Sequence, residues 1–60
     1  MEKQFIIQNL VTNKYLAGHE IANYWSEYIT DAFYFDDFVD AESSIKSYTG
    51  IFTIITIYFN

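Results

Sequence analysis

The last ten residues of the chain decide its fold, and they read Ile51-Phe52-Thr53-Ile54-Ile55-Thr56-Ile57-Tyr58-Phe59-Asn60. β-branched and aromatic residues dominate this run, which contains no charge, glycine or proline, so it predicts one long strand. Successive side chains of a strand point to opposite faces of its sheet. Both faces would be apolar here, whereas a sheet with water on one side alternates polar and apolar residues. The pattern therefore predicts a strand that is covered on both faces.

A second copy of the chain, or another partner, is the expected cover for the outer face of this strand. The chain of 60 residues predicts a single domain, 1–60, with room for one helix over the sheet. An uncovered strand rich in Ile, Phe and Thr would be an aggregation hazard. We therefore expect a homodimer held mainly by its sheet. The expected interface residues are Phe52, Ile54, Ile55, Ile57, Tyr58 and Phe59.

A hairpin is expected at the start of the chain. Residues 4–10 predict a first strand, and residues 15–17 predict a short second strand that stops at Gly18. Between them, Asn13-Lys14 tolerates the left-handed backbone that a tight turn needs. A hairpin alone is marginal in water, so it needs the rest of the sheet.

The middle of the chain carries weaker signals. Ser26 or Asn23 is placed to cap a short helical turn that holds Trp25 and Ile29 and ends at Thr30-Asp31. Residues 33–35 (Phe-Tyr-Phe) predict a third, short strand. Asp37 is a good N-cap for a helix over residues 38–48, because a side-chain oxygen there can accept a hydrogen bond from a free backbone N–H.

That helix is supported at both ends. Asp40 adds a second acid to its first turn, close to a capping box, and Gly50 is placed to end it in the left-handed conformation. An apolar stripe recurs at helical spacing in Phe38, Ala41, Ile45 and Tyr48. The expected fold is α+β, a small antiparallel sheet of three to four strands with one helix on one face. Its expected order is strand, strand, short helical turn, strand, helix, strand.

Charge and hydropathy exclude several classes of partner. Eight acids against three lysines give a net charge of −5, which argues against direct binding to nucleic acid or anionic lipid. The run 47–60 is too short and too rich in Thr and Tyr for a membrane span. Residues 1–4 lack the basic start and apolar stretch of a signal peptide. We expect a cytoplasmic protein.

No catalytic, metal or cofactor site is expected. His19 beside Glu20 is the one imidazole–carboxylate neighbour pair, and Ala22 and Asn23 do not complete a zinc motif, so we interpret His19 as a loop histidine. There is no cysteine, and the two glycines form no phosphate-binding loop. The expected protein is not an enzyme.

Acidic and aromatic residues supply the candidate binding site. Asp36, Asp37 and Asp40 serve either as helix caps on a solvated acidic face or as a patch that docks on a basic nucleic-acid groove of a partner. Tyr24-Trp25 and Tyr28 either fill the core and a self-association surface or act as anchors on a partner, since Trp and Tyr dominate binding hot spots.

Much of the chain resembles very small phage-encoded accessory proteins. The resemblance lies in the opening Phe5–Leu16, in Trp25-Ser26-Glu27 and Thr30-Asp31-Ala32, and in residues 35–42 followed by Gly50 and the closing strand. Some proteins of this kind are anti-defence inhibitors, which bind and block bacterial immune systems such as CRISPR nucleases or the helicase–nuclease Hachiman system. The resemblance implies that class, without a target and without functional residues to carry over.

Two functions are therefore expected from the sequence. The first is a non-enzymatic inhibitor that binds a host defence complex stoichiometrically, as a homodimer, in the host cytoplasm. The alternative is a structural or assembly subunit whose apolar sheet packs into a larger particle. A dimer of fixed mass favours the first function, and open-ended association favours the second.

Overall fold

The computed structural model describes residues 2–18 and 23–59, which form a four-stranded antiparallel sheet with a helix across one face. The elements in chain order are β1 (Glu2–Asn9), β2 (Tyr15–Ala17), β3 (Tyr24–Ser26), a 3-10 turn (Ile29–Asp31), α1 (Phe38–Ile45) and β4 (Phe52–Phe59). The strands lie in the order β3-β2-β1-β4. The expected α+β class is confirmed, and the closing strand forms one edge of the sheet. No helix in the described ranges is long and apolar enough to cross a bilayer.

Strand register divides the side chains between two faces. β1 and β4 pair along their whole lengths, with Glu2 opposite Phe59 and Asn9 opposite Phe52. Because paired residues share a face and neighbours alternate, the register fixes both sets. The helix face carries Phe5, Ile7, Leu16, Trp25, Phe52 and Ile54. The opposite face, called the open face because α1 does not cover it, carries Ile6, Ala17, Tyr24, Ile55, Ile57 and Phe59. Ile6 and Ala17 are nevertheless fully buried there.

The core lies between α1 and the helix face. Phe5, Ile7 and Leu16 of the sheet are buried together with Ala41 of the helix, and Ile45 packs against them. Ala41 is fully buried, and its small side chain allows the helix to approach the sheet closely. The predicted apolar stripe is therefore confirmed: Tyr48 also packs against this core, and Phe38, although 48 % exposed, meets the Phe5 ring edge-on with ring centroids 5.7 Å apart.

The helix is shorter than residues 38–48. It ends at Ile45, after which Ser47 and Tyr48 donate backbone hydrogen bonds three residues back, over 3.1 and 3.0 Å. Serines are weak helix formers, and Tyr48 meets Trp25 edge-on with ring centroids 5.4 Å apart. Tighter turns therefore replace the last predicted turn of the helix.

Gly50 does not cap the helix, contrary to the prediction. It lies in the turn that leads into β4, with φ at +148°, a backbone conformation that side chains with a Cβ rarely adopt. A Cβ built at this position would come within 3.2 Å of Phe52 Cζ. The glycine is required by the turn rather than by the helix end.

Gly50→Ala is expected to lower the free energy of unfolding by about 1–3 kcal/mol, because the strained backbone would then carry a side chain. Urea denaturation followed by circular dichroism measures this loss. Thr49→Ala, at the exposed neighbouring position, is the matched control and should have little effect. Equal stability of the two variants would contradict a conformational role for Gly50.

The third strand lies at Tyr24–Ser26 rather than at residues 33–35. Its Trp25 pairs with Leu16 of β2. Residues 33–35 form no strand and join the sheet only through an isolated bridge between Phe35 and Phe5 and a hydrogen bond from the Phe33 N–H to the Leu16 carbonyl at 2.9 Å. The observed order is thus strand, strand, strand, helical turn, helix, strand. A strand of three residues shows too little alternation to be located from sequence, so its pairing partner decides where it forms.

The helical turn follows β3 and is held by a buried serine. Ser26 Oγ lies 2.6 Å from Asp31 Oδ2 and accepts a hydrogen bond from the Tyr28 N–H at 3.1 Å. Tyr28, rather than Ser26 or Asn23, occupies the N-cap position of the turn. The turn covers Ile29–Asp31, so the predicted Ile29 and the predicted end at Thr30-Asp31 are confirmed, whereas Trp25 belongs to the strand before it.

The hairpin forms as predicted, with small changes in its ends. β1 runs from residue 2 to residue 9 instead of 4–10, and β2 covers residues 15–17. Asn13 has φ at 60°, which confirms the predicted left-handed turn residue. Asn9 also stabilises the turn, because its Oδ1 accepts hydrogen bonds from the N–H groups of Val11 and Thr12 at 2.8 and 3.2 Å.

Candidate protein-binding site

The predicted acidic residues lie together where α1 begins. Asp36, Asp37 and Asp40 are all exposed. Asp37 occupies the N-cap position with extended backbone angles, as predicted, but its side chain makes no capping hydrogen bond. Asp36 Oδ1 instead accepts a hydrogen bond from Gln4 Nε2 at 2.7 Å. This contact joins the start of the helix to β1. No sequence pattern indicates it, because the two residues are far apart in the chain.

The expected ranking of these carboxylates in stability follows from their contacts. Asp37→Ala should cost about 0.3–1 kcal/mol, through the helix dipole alone, which is less than a bonded cap would contribute. Asp36→Ala should cost about 1 kcal/mol, because it also removes the hydrogen bond to Gln4. A double-mutant cycle of Asp36→Ala with Gln4→Ala measures that bond. Additive losses would show that the contact contributes nothing.

An open cleft of about 370 Å³ brings two of the acids beside aromatic side chains. It is lined by Phe33, Tyr34, Phe35, Asp36 and Asp40. Phe33 and Phe35 meet edge-on, with ring centroids 4.8 Å apart. The sequence predicts residues 33–35 only as a strand, and no pattern in it indicates that these residues lie beside the acids. Aromatic faces and carboxylates together suit a lysine or arginine side chain, which both groups attract.

The three predicted aromatic anchors do not form one cluster. Trp25 stacks on Phe52 with ring centroids 5.6 Å apart, inside the helix-face packing. Tyr24, its neighbour in β3, lies on the open face and is 53 % exposed, while Tyr28 follows the strand and is 66 % exposed. Tyr24 and Tyr28 therefore offer exposed rings, and Trp25 offers mainly a packing surface.

The predicted interface residues all belong to the edge strand β4, but they divide between the faces. Phe52, Ile54 and Tyr58 lie on the helix face, with Tyr58 64 % exposed. Ile55 and Ile57 are half-buried on the open face. Beside them Phe59 is 38 % exposed, and its ring centroid lies 5.9 Å from that of Tyr34. The open face therefore keeps an apolar surface that α1 does not cover.

Side chains that bind metal ions are not clustered in the described ranges. Among residues 2–18 and 23–59, no set of three or more His, Asp or Glu side chains is placed to hold a metal ion. His19 and Glu20, the histidine–carboxylate pair noted in the sequence, lie outside the described residues.

Comparison with known proteins assigns no family to the chain. The sequence matches no protein-family model, and neither curated proteins nor solved structures give a significant match.

Proposed function

We propose that this chain is a non-enzymatic inhibitor, encoded by a phage, that blocks a bacterial antiviral defence complex by stoichiometric binding as a homodimer. Its place of action is the host cytoplasm. The proposal rests on the resemblance to small anti-defence proteins and on the surface chemistry of the folded chain.

The cleft beside α1 is the observation that carries this function. Its carboxylates, Asp36 and Asp40, stand beside the aromatic residues 33–35. A basic side chain of a partner would gain charge-assisted hydrogen bonds from the carboxylates and a cation–π contact from the rings. Basic side chains line the grooves of proteins that hold nucleic acid. A nucleic-acid-handling component of a defence complex is therefore the kind of target that this cleft fits.

The exposed tyrosines extend the same proposal. Tyr24 and Tyr28 are more than half exposed, and tyrosine supplies large contact area with few rotatable bonds to immobilise. In this arrangement the tyrosines are anchors and the carboxylates form the charged rim, which sets association rate and specificity. Trp25 supports this surface from within the fold.

The test begins with capture of the target from host lysate by the tagged protein, followed by titration of the purified target. Inhibition should end at a fixed ratio of inhibitor to target, because occupancy involves no turnover. Affinity should fall as salt rises, since exposed charges are screened within about 10 Å at 0.1 M. Complete inhibition at substoichiometric amounts would refute occupancy.

Asp40→Asn is expected to weaken target binding about 10- to 100-fold, since a charge-assisted hydrogen bond contributes about 1.5–3 kcal/mol and each 1.4 kcal/mol is tenfold. Glu42→Gln is the matched control, because Glu42 is also exposed on α1 but does not line the cleft. Calorimetry on the captured target measures both. Equal affinities of the two variants would show that the cleft is not part of the binding surface.

The alternative function, a structural or assembly subunit, is favoured by the apolar surface that β4 carries at the edge of the sheet. Light scattering over a range of concentrations separates the two functions. A single mass of two chains agrees with the inhibitor. A mass that grows with concentration, together with the failure to capture a host target, would contradict the inhibitor function and support the assembly subunit.

A further inference from the structure

The outer edge of β4 is an eight-residue strand edge to which no other described strand is hydrogen-bonded. Natural proteins protect such edges with charges, prolines, bulges or a covering loop. β4 contains no charged residue and no proline, and it pairs with β1 without interruption in register. The edge is thus long, regular and unprotected among the described residues.

The hydrogen bonds of β1 determine which groups of β4 face outward. Phe5 exchanges both backbone hydrogen bonds with Phe35, at 2.8 and 2.7 Å. Its N–H and C=O groups therefore point away from β4, so Phe5 and its opposite residue Thr56 form a non-hydrogen-bonded pair. Thr56 directs its own backbone groups to the outer edge. By alternation, the residues with outward groups are Phe52, Ile54, Thr56 and Tyr58.

We propose that a second copy of the chain pairs with this edge through its own β4, antiparallel, about a twofold axis at Ile55. The outward residues all have even numbers, so each must meet an even-numbered residue of the second copy. A twofold axis at Ile55 pairs residue 52 with residue 58 of the second copy, and residue 54 with residue 56. Every outward backbone group of both strands then has a partner. Centring on Thr56 leaves residue 52 without a partner in the second β4.

The side chains agree with this register. On the open face, Ile55 meets Ile55 of the second copy at the axis, and Thr53 meets Ile57 on either side. On the helix face, Phe52 meets Tyr58 and Ile54 meets Thr56. No charged pair is brought together, although the chain carries a net charge of −5. The closed twofold pairing also satisfies an edge that would otherwise recruit further chains.

This inference specifies the homodimer on which the proposed function rests, and the absence of cysteine makes it testable by cross-linking. At the axis the two Cα atoms would be about 4.5 Å apart, within the range for a disulfide. Ile55→Cys should therefore form a covalent dimer in a glutathione redox buffer. Two Ile57→Cys chains place their cysteines about 14 Å apart, at 3.4 Å per residue, so this variant should stay uncoupled.

The double variant Thr53→Cys/Ile57→Cys supplies a matched positive control. Its two cysteines are four residues apart in one strand and cannot join each other, but each faces its complement in the second copy. Covalent dimer from the double variant, with little from either single variant, supports the register. Stronger coupling of Thr56→Cys than of Ile55→Cys, or equal coupling of Ile55→Cys and Ile57→Cys, would overturn it.

Hydrogen exchange of the unmodified protein tests the same pairing without substitutions. In the dimer, the amides of Phe52, Ile54, Thr56 and Tyr58 should be as protected as those of Thr53, Ile55 and Ile57. Rapid exchange of the outward amides alone, at concentrations where the protein is a dimer, would place the interface elsewhere. Such a result would contradict the β4 pairing but not the inhibitor function. A protected β4 edge in a protein that captures no host target would contradict the inhibitor function and support the pairing.

Discussion

Trp25→Ala is expected to unfold most of the protein at room temperature. The indole stacks on Phe52 and meets Tyr48 edge-on, with ring centroids 5.6 and 5.4 Å away, so its removal opens a hole where β3, β4 and the segment after α1 meet. Replacing a packed tryptophan by alanine costs about 3–5 kcal/mol. A domain of this size rarely has more than about 3–5 kcal/mol of net stability. Far-UV circular dichroism with urea titration measures the loss.

Tyr28→Ala is the control for this prediction. Tyr28 is 66 % exposed, so its replacement should change stability by no more than about 0.5 kcal/mol while removing a proposed anchor. The sequence predicts Trp25 either as part of the core or as an anchor on a partner, and only an anchor could be replaced without loss of the fold. The packing of Trp25 makes Tyr28 the informative position for binding instead. A folded Trp25→Ala protein with an unchanged urea midpoint would contradict this assignment.

Ile55→Asp is expected to dissociate the homodimer. In the proposed pairing it places two carboxylates about 5 Å apart at the twofold axis, where their repulsion at an effective dielectric constant of about 20 is about 3 kcal/mol. That corresponds to a rise of about 100-fold in the dimer dissociation constant. Sedimentation equilibrium measures it, and circular dichroism checks that the monomer is folded.

Two further variants separate repulsion from lost packing. Ile55→Asn has nearly the shape of the aspartate variant without its charge and should dissociate the dimer less. An equimolar mixture of Ile55→Asp and Ile55→Lys chains should re-form a heterodimer, because opposite charges then meet at the axis. Equal dissociation by the aspartate and asparagine variants, with no recovery in the mixture, would show that Ile55 does not meet its own copy.

The elements that the sequence predicted correctly are those with local causes. β4 follows from a continuous run of β-branched and aromatic residues, which suit extended backbone whatever surrounds them. The start of α1 is predicted by Asp37, which occupies the N-cap position although its side chain makes no capping hydrogen bond. The turn of the first hairpin is predicted by Asn13, whose φ is 60°. The acids of the candidate site were predicted for the same reason, since they lie in or just before the first turn of a recognisable helix.

The predictions were wrong or incomplete where contacts between distant parts of the chain decide the local structure. β3 forms at Tyr24–Ser26 because Trp25 pairs with Leu16, and nothing within three residues distinguishes it from the aromatic run 33–35. The helix ends early because Tyr48 packs against Trp25. The aromatic part of the cleft was missed because its position beside Asp36 and Asp40 depends on how the segment after the 3-10 turn lies along β1.

By itself the sequence determined the α+β class, the closing strand and the helix start, because each depends on conformational preferences within a few neighbouring residues. Only the tertiary structure decided that β4 lies at an edge, that Trp25 packs inside while Tyr24 faces outward, and that Asp36 binds Gln4. Strand order and side-chain partners join residues that are far apart in the chain. They are fixed by the mutual fit of all the elements, which no short stretch of sequence contains.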